Sequence, residues 1–298
     1  MLCFLLKNFK INFLHYFELI KPRIIIANLF SAIAGFFFSL QNKSFNLLEF
    51  VFMIVGLFCI ISCGCVLNNI YDRKNDRKML RTQNRVLARK KISIKNAFIY
   101  SFFLFFLGSY FLLYFCNKFV YLISFLALLC YVFLYTVILK NKSKYSTFFG
   151  SFSGSCPILI GYFLNIHFFD LKSFFLFFIF FFWQIPHSYS IYLLYLNDYC
   201  SAKIPVFPVL NRIDRTIDNM YFYTNLLILF NFLLGFFSDF NFIYFLIFTL
   251  LGIFWLFCIT SGYNKFLRKS EWSLELFKIS IFYIFFFNFS VFLNYFIF

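Results

Sequence analysis

Nine long apolar runs, separated by short polar breaks, occupy nearly the whole chain. They lie at about 24–40, 46–67, 97–117, 119–139, 146–166, 172–195, 219–238, 240–260 and 274–297. Each approaches the ~20 residues that a helix needs to cross a bilayer's hydrocarbon core. Apolar residues face all round each run rather than along one stripe, as expected of helices bathed in lipid. The breaks at Asn117-Lys118 and Ser238-Asp239-Phe240-Asn241 leave room for tight turns only. No stretch reads as a soluble domain, and no internal repeat stands out. The pattern therefore predicts an all-α polytopic membrane protein with nine transmembrane helices. It forms a single domain over 1–298, with 1–20 as a short cytoplasmic N-terminal segment. The first run follows Lys21-Pro22-Arg23 and is one of many, so it does not read as a cleaved signal peptide.

Composition agrees. Hydrophobic residues make up 63% of the 298 and charged ones 13%, against about 45–50% and about 25% in soluble domains. The 57 phenylalanines make aromatic residues a background here, so an aromatic stripe does not mark a ligand pocket. Nine scattered cysteines show no metal-site spacing and read as small apolar fillers. The formal net charge of +16 is distributed with a purpose. The N-terminus and the loops after the second, fourth, sixth and eighth runs hold 24 Lys and Arg, and the opposite side holds only Lys43, Lys118 and Lys172. This asymmetry places the N-terminus on the cytoplasmic (or matrix) side; an inner (plasma) membrane, crossed many times, is the expected location. The excess is spread over one membrane face, where the lipid bilayer is its partner, so nucleic-acid binding is not expected.

Two polar islands break the monotony, both on the cytoplasmic side. The first, "NNIYDRKNDRKMLRTQNRVL" at 68–87, follows the second run directly. On a helix, Asn68, Asp72 and Asp76 recur every four residues and share one face, with Gly64 one step earlier. Arg73, Arg77, Arg81 and Arg85 would form a parallel stripe about 100° round. Oxygen ligands beside a row of guanidinium groups suit a diphosphate bridged by Mg²⁺, which binds through one or two carboxylates plus substrate phosphates. The bland alternative is a positive-inside loop laced with i,i+4 ion pairs. It accounts for the cations but not for the two Asp at the same step as Asn68.

The second island spans 183–209, "WQIPHSYSIYLLYLNDYCSAKIPVFPV", and holds three of the chain's five prolines. Pro186 and His187 fall in the sixth run; Asp198 and Lys203 follow at its cytoplasmic end. Asp198 would hold a second Mg²⁺ or orient the diphosphate, and Lys203 would contact phosphate; a surface ion pair between the two is the bland alternative. An ionisable residue at membrane depth is a functional-site hypothesis by default, so His187 is a candidate substrate contact, with a buried interhelical hydrogen bond as the alternative.

Together these islands resemble the UbiA superfamily of intramembrane prenyltransferases. The first is similar to that family's N-x-x-x-D-x-x-x-D-x-x-M-x-R-T-x-x-R segment. "WQIPHSY" and "DYCSAKIPVFPV" resemble its heme-farnesylating branch, the protoheme IX farnesyltransferases, with support from "ELIKPRIIIANL" at 18–29 and "YSTFFGSFSGSCPILIGY" at 145–162. The resemblance implies a nine-helix bundle with a central cavity, farnesyl diphosphate and heme B as substrates, and Mg²⁺ as cofactor. It implies that Asn68, Asp72 and Asp76 hold the metal and Asp198 assists. Arg73, Arg77, Lys78, Arg81, Arg85 and Lys203 form the pool of diphosphate contacts, and His187 a heme contact. A heme A synthase or terminal oxidase would be the downstream partner. Many superfamily members carry a second D-x-x-x-D; here Ala202 stands four residues after Asp198, which disfavours prenylation of an aromatic ring such as 4-hydroxybenzoate. A transporter would spread ionisable residues over several depths, whereas here they gather at one membrane face.

Overall fold

A computed structural model describes residues 13–40, 45–238, 240–263 and 269–297, which are helices joined by short turns. Most of the predicted N-terminal segment, Lys43, Asp239, Lys265 and Arg268 lie outside the described residues. After a helical turn at 13–19, the chain forms α1 (Pro22–Leu40), α2 (Leu47–Asp76), α3 (Ile94–Phe115) and α4 (Lys118–Leu129), which continues as a π-helix over Cys130–Leu139. It then forms α5 (Ser146–Tyr162), α6 (Leu171–Leu194), the short α7 (Leu196–Ser201) and α8 (Phe207–Leu210), α9 (Ile213–Phe237), α10 (Phe242–Thr260) and α11 (Lys269–Ile297).

Among the described residues, eight helices are long and apolar enough to cross a membrane. The run at 146–166 yields α5, which is a helix of only 17 residues. The expected nine crossings thus become eight clear ones and a shorter helix, ended by turns that follow Tyr162. The largest shift in a boundary is at α2. Hydropathy ends its run at 67, but the helix continues to Asp76 and has 30 residues. At 1.5 Å per residue it is about 45 Å long, well beyond a ~30 Å hydrocarbon core. Hydropathy marks where the bilayer ends, and the helix persists past it into the headgroup zone.

Side-chain caps start the helices. Asn46 accepts from the backbone N–H of Leu48 and Glu49. Ser93 caps α3 and Asp170 forms a capping box with Ser173. Asn117 does two jobs: its oxygen caps α4, and its amide donates to the carbonyls of Phe163 and Leu164 beyond α5.

The helices close around a cavity. α1 packs against α2, α5 and α11; α2 against α3 and the π-helix; α6 against α5, α9 and α11; and α10 against α9 and α11. Outward positions such as Phe102, Phe103 and Phe106 on α3 are exposed, as a lipid-facing surface requires. At the crossing of α1 and α5 two glycines bring the backbones into contact, because small residues replace hydrophobic driving force between helices in lipid. A Cβ on Gly35 of α1 would stand 1.9 Å from the Ile158 carbonyl oxygen, and one on Gly161 of α5 would stand 1.8 Å from that of Ala32. Those partners are backbone atoms and cannot swing aside.

This crossing is testable. Gly35→Val is expected to destabilise the protein by about 1–3 kcal/mol, the usual range for overpacking. The check is thermal unfolding in detergent, followed by labelling of buried thiols such as Cys59, Cys63 and Cys156. An unchanged midpoint would show that α1 and α5 can part at no cost.

Candidate active site

The central cavity encloses about 870 Å³. One end is polar, with Asn68, Asp72 and Asp76 of α2 on one wall. Deeper in, its walls are Phe30, Leu57, Ile160, Phe180 and Phe285. The i,i+4 spacing predicted one helical face, and α2 supplies it: all three side chains are buried and line the same cavity.

Two carboxylates buried at the edge of a bilayer demand compensation, because an unpaired charge in a low-dielectric site is costly. Three cations from three different elements supply it. Lys140, directly after the π-helix, forms an ion pair with one oxygen of Asp72. Arg85, from the loop after α2, pairs with Asp76 at 2.9 Å. Lys21, just before α1, donates to the Asn68 side-chain oxygen at 2.6 Å, while the Asn68 amide donates to Thr136 at 3.1 Å.

Lys21 adopts a left-handed backbone conformation, with φ of 56°, a strain typical of functional sites. Next to it, Asn69 ties the segment down by donating to the Leu19 carbonyl. Burial, reinforced by the nearby Arg85, lowers the Lys21 pKa to about 8. For Lys140, burial also disfavours the charge, but the Asp72 carboxylate outweighs it and the pKa is raised.

The π-helix serves this arrangement. Lys140 N–H bonds to the Tyr135 carbonyl five residues back, and the Thr136 hydroxyl to that of Tyr131. The widened turn brings Tyr131, Tyr135 and Lys140 to the cavity wall, with Thr136 on Asn68. Such π-segments recur at functional sites.

The predicted arginine stripe does not exist as a helix face. α2 stops at Asp76, and 77–91 fold as successive turns. The chain doubles back instead, so that Arg85 meets Asp76 from outside the helix. Arg81 also reaches the cavity, lying 4.5 Å over the Tyr195 ring and bonding the Tyr199 hydroxyl at 3.4 Å. The other cations of the pool are placed elsewhere. Arg73 donates to the Ile70 carbonyl, and Arg77 to the Ala88 carbonyl, which pins the loop's return. Lys78 and Lys203 are exposed and outside the cavity lining. Lys203, with φ of 57°, follows α7 in the left-handed conformation that often ends a helix.

Asp198 has a different setting from the expected metal assistant. Its two oxygens accept the backbone N–H groups of Leu80 and Arg81, at 3.1 and 3.0 Å, and it does not line the central cavity. The Ser201 hydroxyl adds a bond to the Lys78 carbonyl. The second island thereby holds the first in shape. His187 does line the cavity, stacked between Trp183 and Phe277.

Lys21 and Lys140 escaped the sequence reading because both were counted as topogenic charge. The available signal was position: each abuts a membrane run on the same face as the acids.

A metal has a partial set of ligands here. Among the described residues, no cluster of three or more His, Cys, Asp or Glu could hold one unaided. However, Asp72 keeps one buried carboxylate oxygen with no hydrogen-bond partner. An open oxygen beside Asp76 fits a hard cation that completes its shell from substrate phosphates.

The UbiA prenyltransferase family matches residues 28–292, and the chain belongs to that family. Among its relatives are the protoheme IX farnesyltransferases of Baumannia cicadellinicola subsp. Homalodisca coagulata, 38% identical over 89% of this chain and 92% of the relative, and of Blochmanniella floridana, 38% identical over 90% and 92%. A UbiA homolog from Archaeoglobus fulgidus, solved bound to DMAPP and Mg²⁺, has a TM-score of 0.70 at 16% identity, covering 93% of this chain and 98% of that one. A digeranylgeranylglyceryl phosphate synthase structure has a TM-score of 0.76 at 18% identity, covering 94% and 97%. These two share the fold.

Two outcomes are expected from this geometry. Lys21 is fully charged only below its pKa of about 8, so affinity for an isoprenyl diphosphate should be complete at lower pH and decline as pH rises through that value. Lys21→Arg, charged throughout, should flatten the profile between pH 7 and 9.5; a profile unchanged by the substitution would remove Lys21 from the anion site. Asp198→Ala strands two backbone N–H groups, at a cost of about 1–3 kcal/mol. Limited proteolysis should then cut near Leu80 sooner than in the wild type, and equal resistance would refute the clamp.

Proposed function

We propose that this protein transfers the farnesyl group of farnesyl diphosphate to a vinyl group of heme B, giving heme O and diphosphate. The observation that carries the acceptor is its identity of 38%, over about nine-tenths of both chains, to relatives named protoheme IX farnesyltransferase. The polar mouth and apolar depth of the cavity fit a lipid-tailed diphosphate. In this reading the chain sits in the inner membrane with the site open to the cytoplasm, supported by the 24-to-3 asymmetry of Lys and Arg. Heme O would pass to a heme A synthase or a terminal oxidase.

Asp72 and Asp76, with Asn68 beside them, would hold Mg²⁺ on the diphosphate. The chemistry supplied by bound Mg²⁺ is neutralisation of charge on the leaving group. Lys21, Lys140, Arg81 and Arg85 surround the same end of the cavity and add fixed positive charge where negative charge develops as the allylic C–O bond breaks. The vinyl π-electrons then form the new C–C bond to the allylic carbon. The resulting cation, stabilised by the porphyrin, takes up one water, whose proton leaves on the diphosphate. Asp198 acts at one remove, by shaping the loop that carries Arg81 and Arg85.

The test is mass spectrometry of hemes from a host without its own heme O synthase. The gene should restore heme O, and Asp72→Asn should cut output by roughly 10²-fold, the scale of losing one electrostatic stabiliser. Wild-type output from Asp72→Asn at saturating Mg²⁺ would overturn the metal assignment. Farnesylated 4-hydroxybenzoate in place of heme O would overturn the acceptor.

A further inference from the structure

His187 on α6 lines the cavity, and the mechanism above leaves it unused. Its surroundings define it closely. The Trp183 ring stacks on one side at 4.7 Å and 16°, and the Phe277 ring lies at 5.4 Å and 28°. Nδ1 is 2.7 Å from the hydroxyl of Ser280, which is fully buried on α11. The Ser280 hydroxyl in turn donates its only hydrogen to the Phe277 carbonyl at 2.7 Å. With that hydrogen on Phe277, the Ser280 oxygen meets Nδ1 with a lone pair, which favours the tautomer that carries hydrogen on Nδ1 and leaves Nε2 unprotonated. No described residue hydrogen-bonds Nε2. Trp183 also donates to the Ser280 carbonyl at 2.8 Å, which locks the stack to α11.

A ring fixed by its neighbours, with one nitrogen hydrogen-bonded and the other without a described partner, in a side chain that lines a cavity, suits a metal-binding histidine. We propose that His187 Nε2 ligates the iron of the porphyrin acceptor, with Ser280 as the positioning residue that sets its tautomer. This rests on the heme-farnesylating reading and adds where the acceptor is anchored. A porphyrin held at His187 sits on the side of the cavity formed by α6 and α11.

The experiment is a titration of the purified full-length protein in lipid nanodiscs with ferric heme B, read by the Soret band and electron paramagnetic resonance. The wild type should give an imidazole-ligated signature. His187→Gly should lose it and bind heme B at least about tenfold more weakly, since second-shell changes alone reach that scale. Added imidazole should restore the signature. Ser280→Ala should weaken binding by a smaller factor, and it keeps the test decisive if His187→Gly fails to fold. Metal-free protoporphyrin IX should bind the wild type and both variants alike. An unaltered spectrum in His187→Gly, or in Ser280→Ala an equal loss for heme B and protoporphyrin IX, would overturn iron ligation. Heme O formation, assayed alongside, separates the two readings: its persistence with an unaltered His187→Gly spectrum removes only the ligand, whereas its absence from the wild type removes the acceptor.

Discussion

The buried acidic face at the C-terminal end of α2 is the constraint around which the rest is arranged. Two carboxylates held out of water at a membrane surface are tolerable only when cations meet them. Lys140, Arg85 and, through Asn68, Lys21 come from the end of the π-helix, the loop after α2 and the start of α1. The acids thus organise three separated parts of the chain. Around the cavity's mouth the cations outnumber the acids.

The same economy appears in the loop itself. A run with ten Lys and Arg between 68 and 95 repels itself and has little apolar surface to bury. It is held in shape by hydrogen bonds at few points: Asp198 on the N–H groups of Leu80 and Arg81, Ser201 on the Lys78 carbonyl, and Arg77 on the Ala88 carbonyl. Buried Met79, Val86 and Leu87 supply its apolar footing. The two islands are therefore one structural unit, although the contacting Leu80 and Asp198 are 118 positions apart in the chain.

The cavity joins two solvents. Its charged mouth lies where headgroups and water meet, and its depth is lined by side chains compatible with hydrocarbon. A substrate with a charged head and an apolar tail can lie along that gradient without moving either part into the wrong medium. The Trp183–His187–Phe277 stack borders the same cavity.

The sequence by itself determined the membrane class, the helix count to within the short α5, the sidedness of charge and the shared face of Asn68, Asp72 and Asp76. These follow from local rules: a bilayer fixes the length of an apolar run, and helical pitch fixes which residues align. The sequence also pointed to His187. Only the tertiary structure decided what each charge does. Lys21 and Lys140 read as topogenic until folding set them against α2. Asp198 read as a metal assistant until its oxygens met the Leu80 and Arg81 amides. The arginine stripe dissolved because α2 ends at Asp76, and Arg85 returned from outside the helix. The reason is physical: periodicity reports neighbours one turn apart, whereas the partner of a buried charge is whatever group the fold brings within hydrogen-bond distance, however distant in the chain.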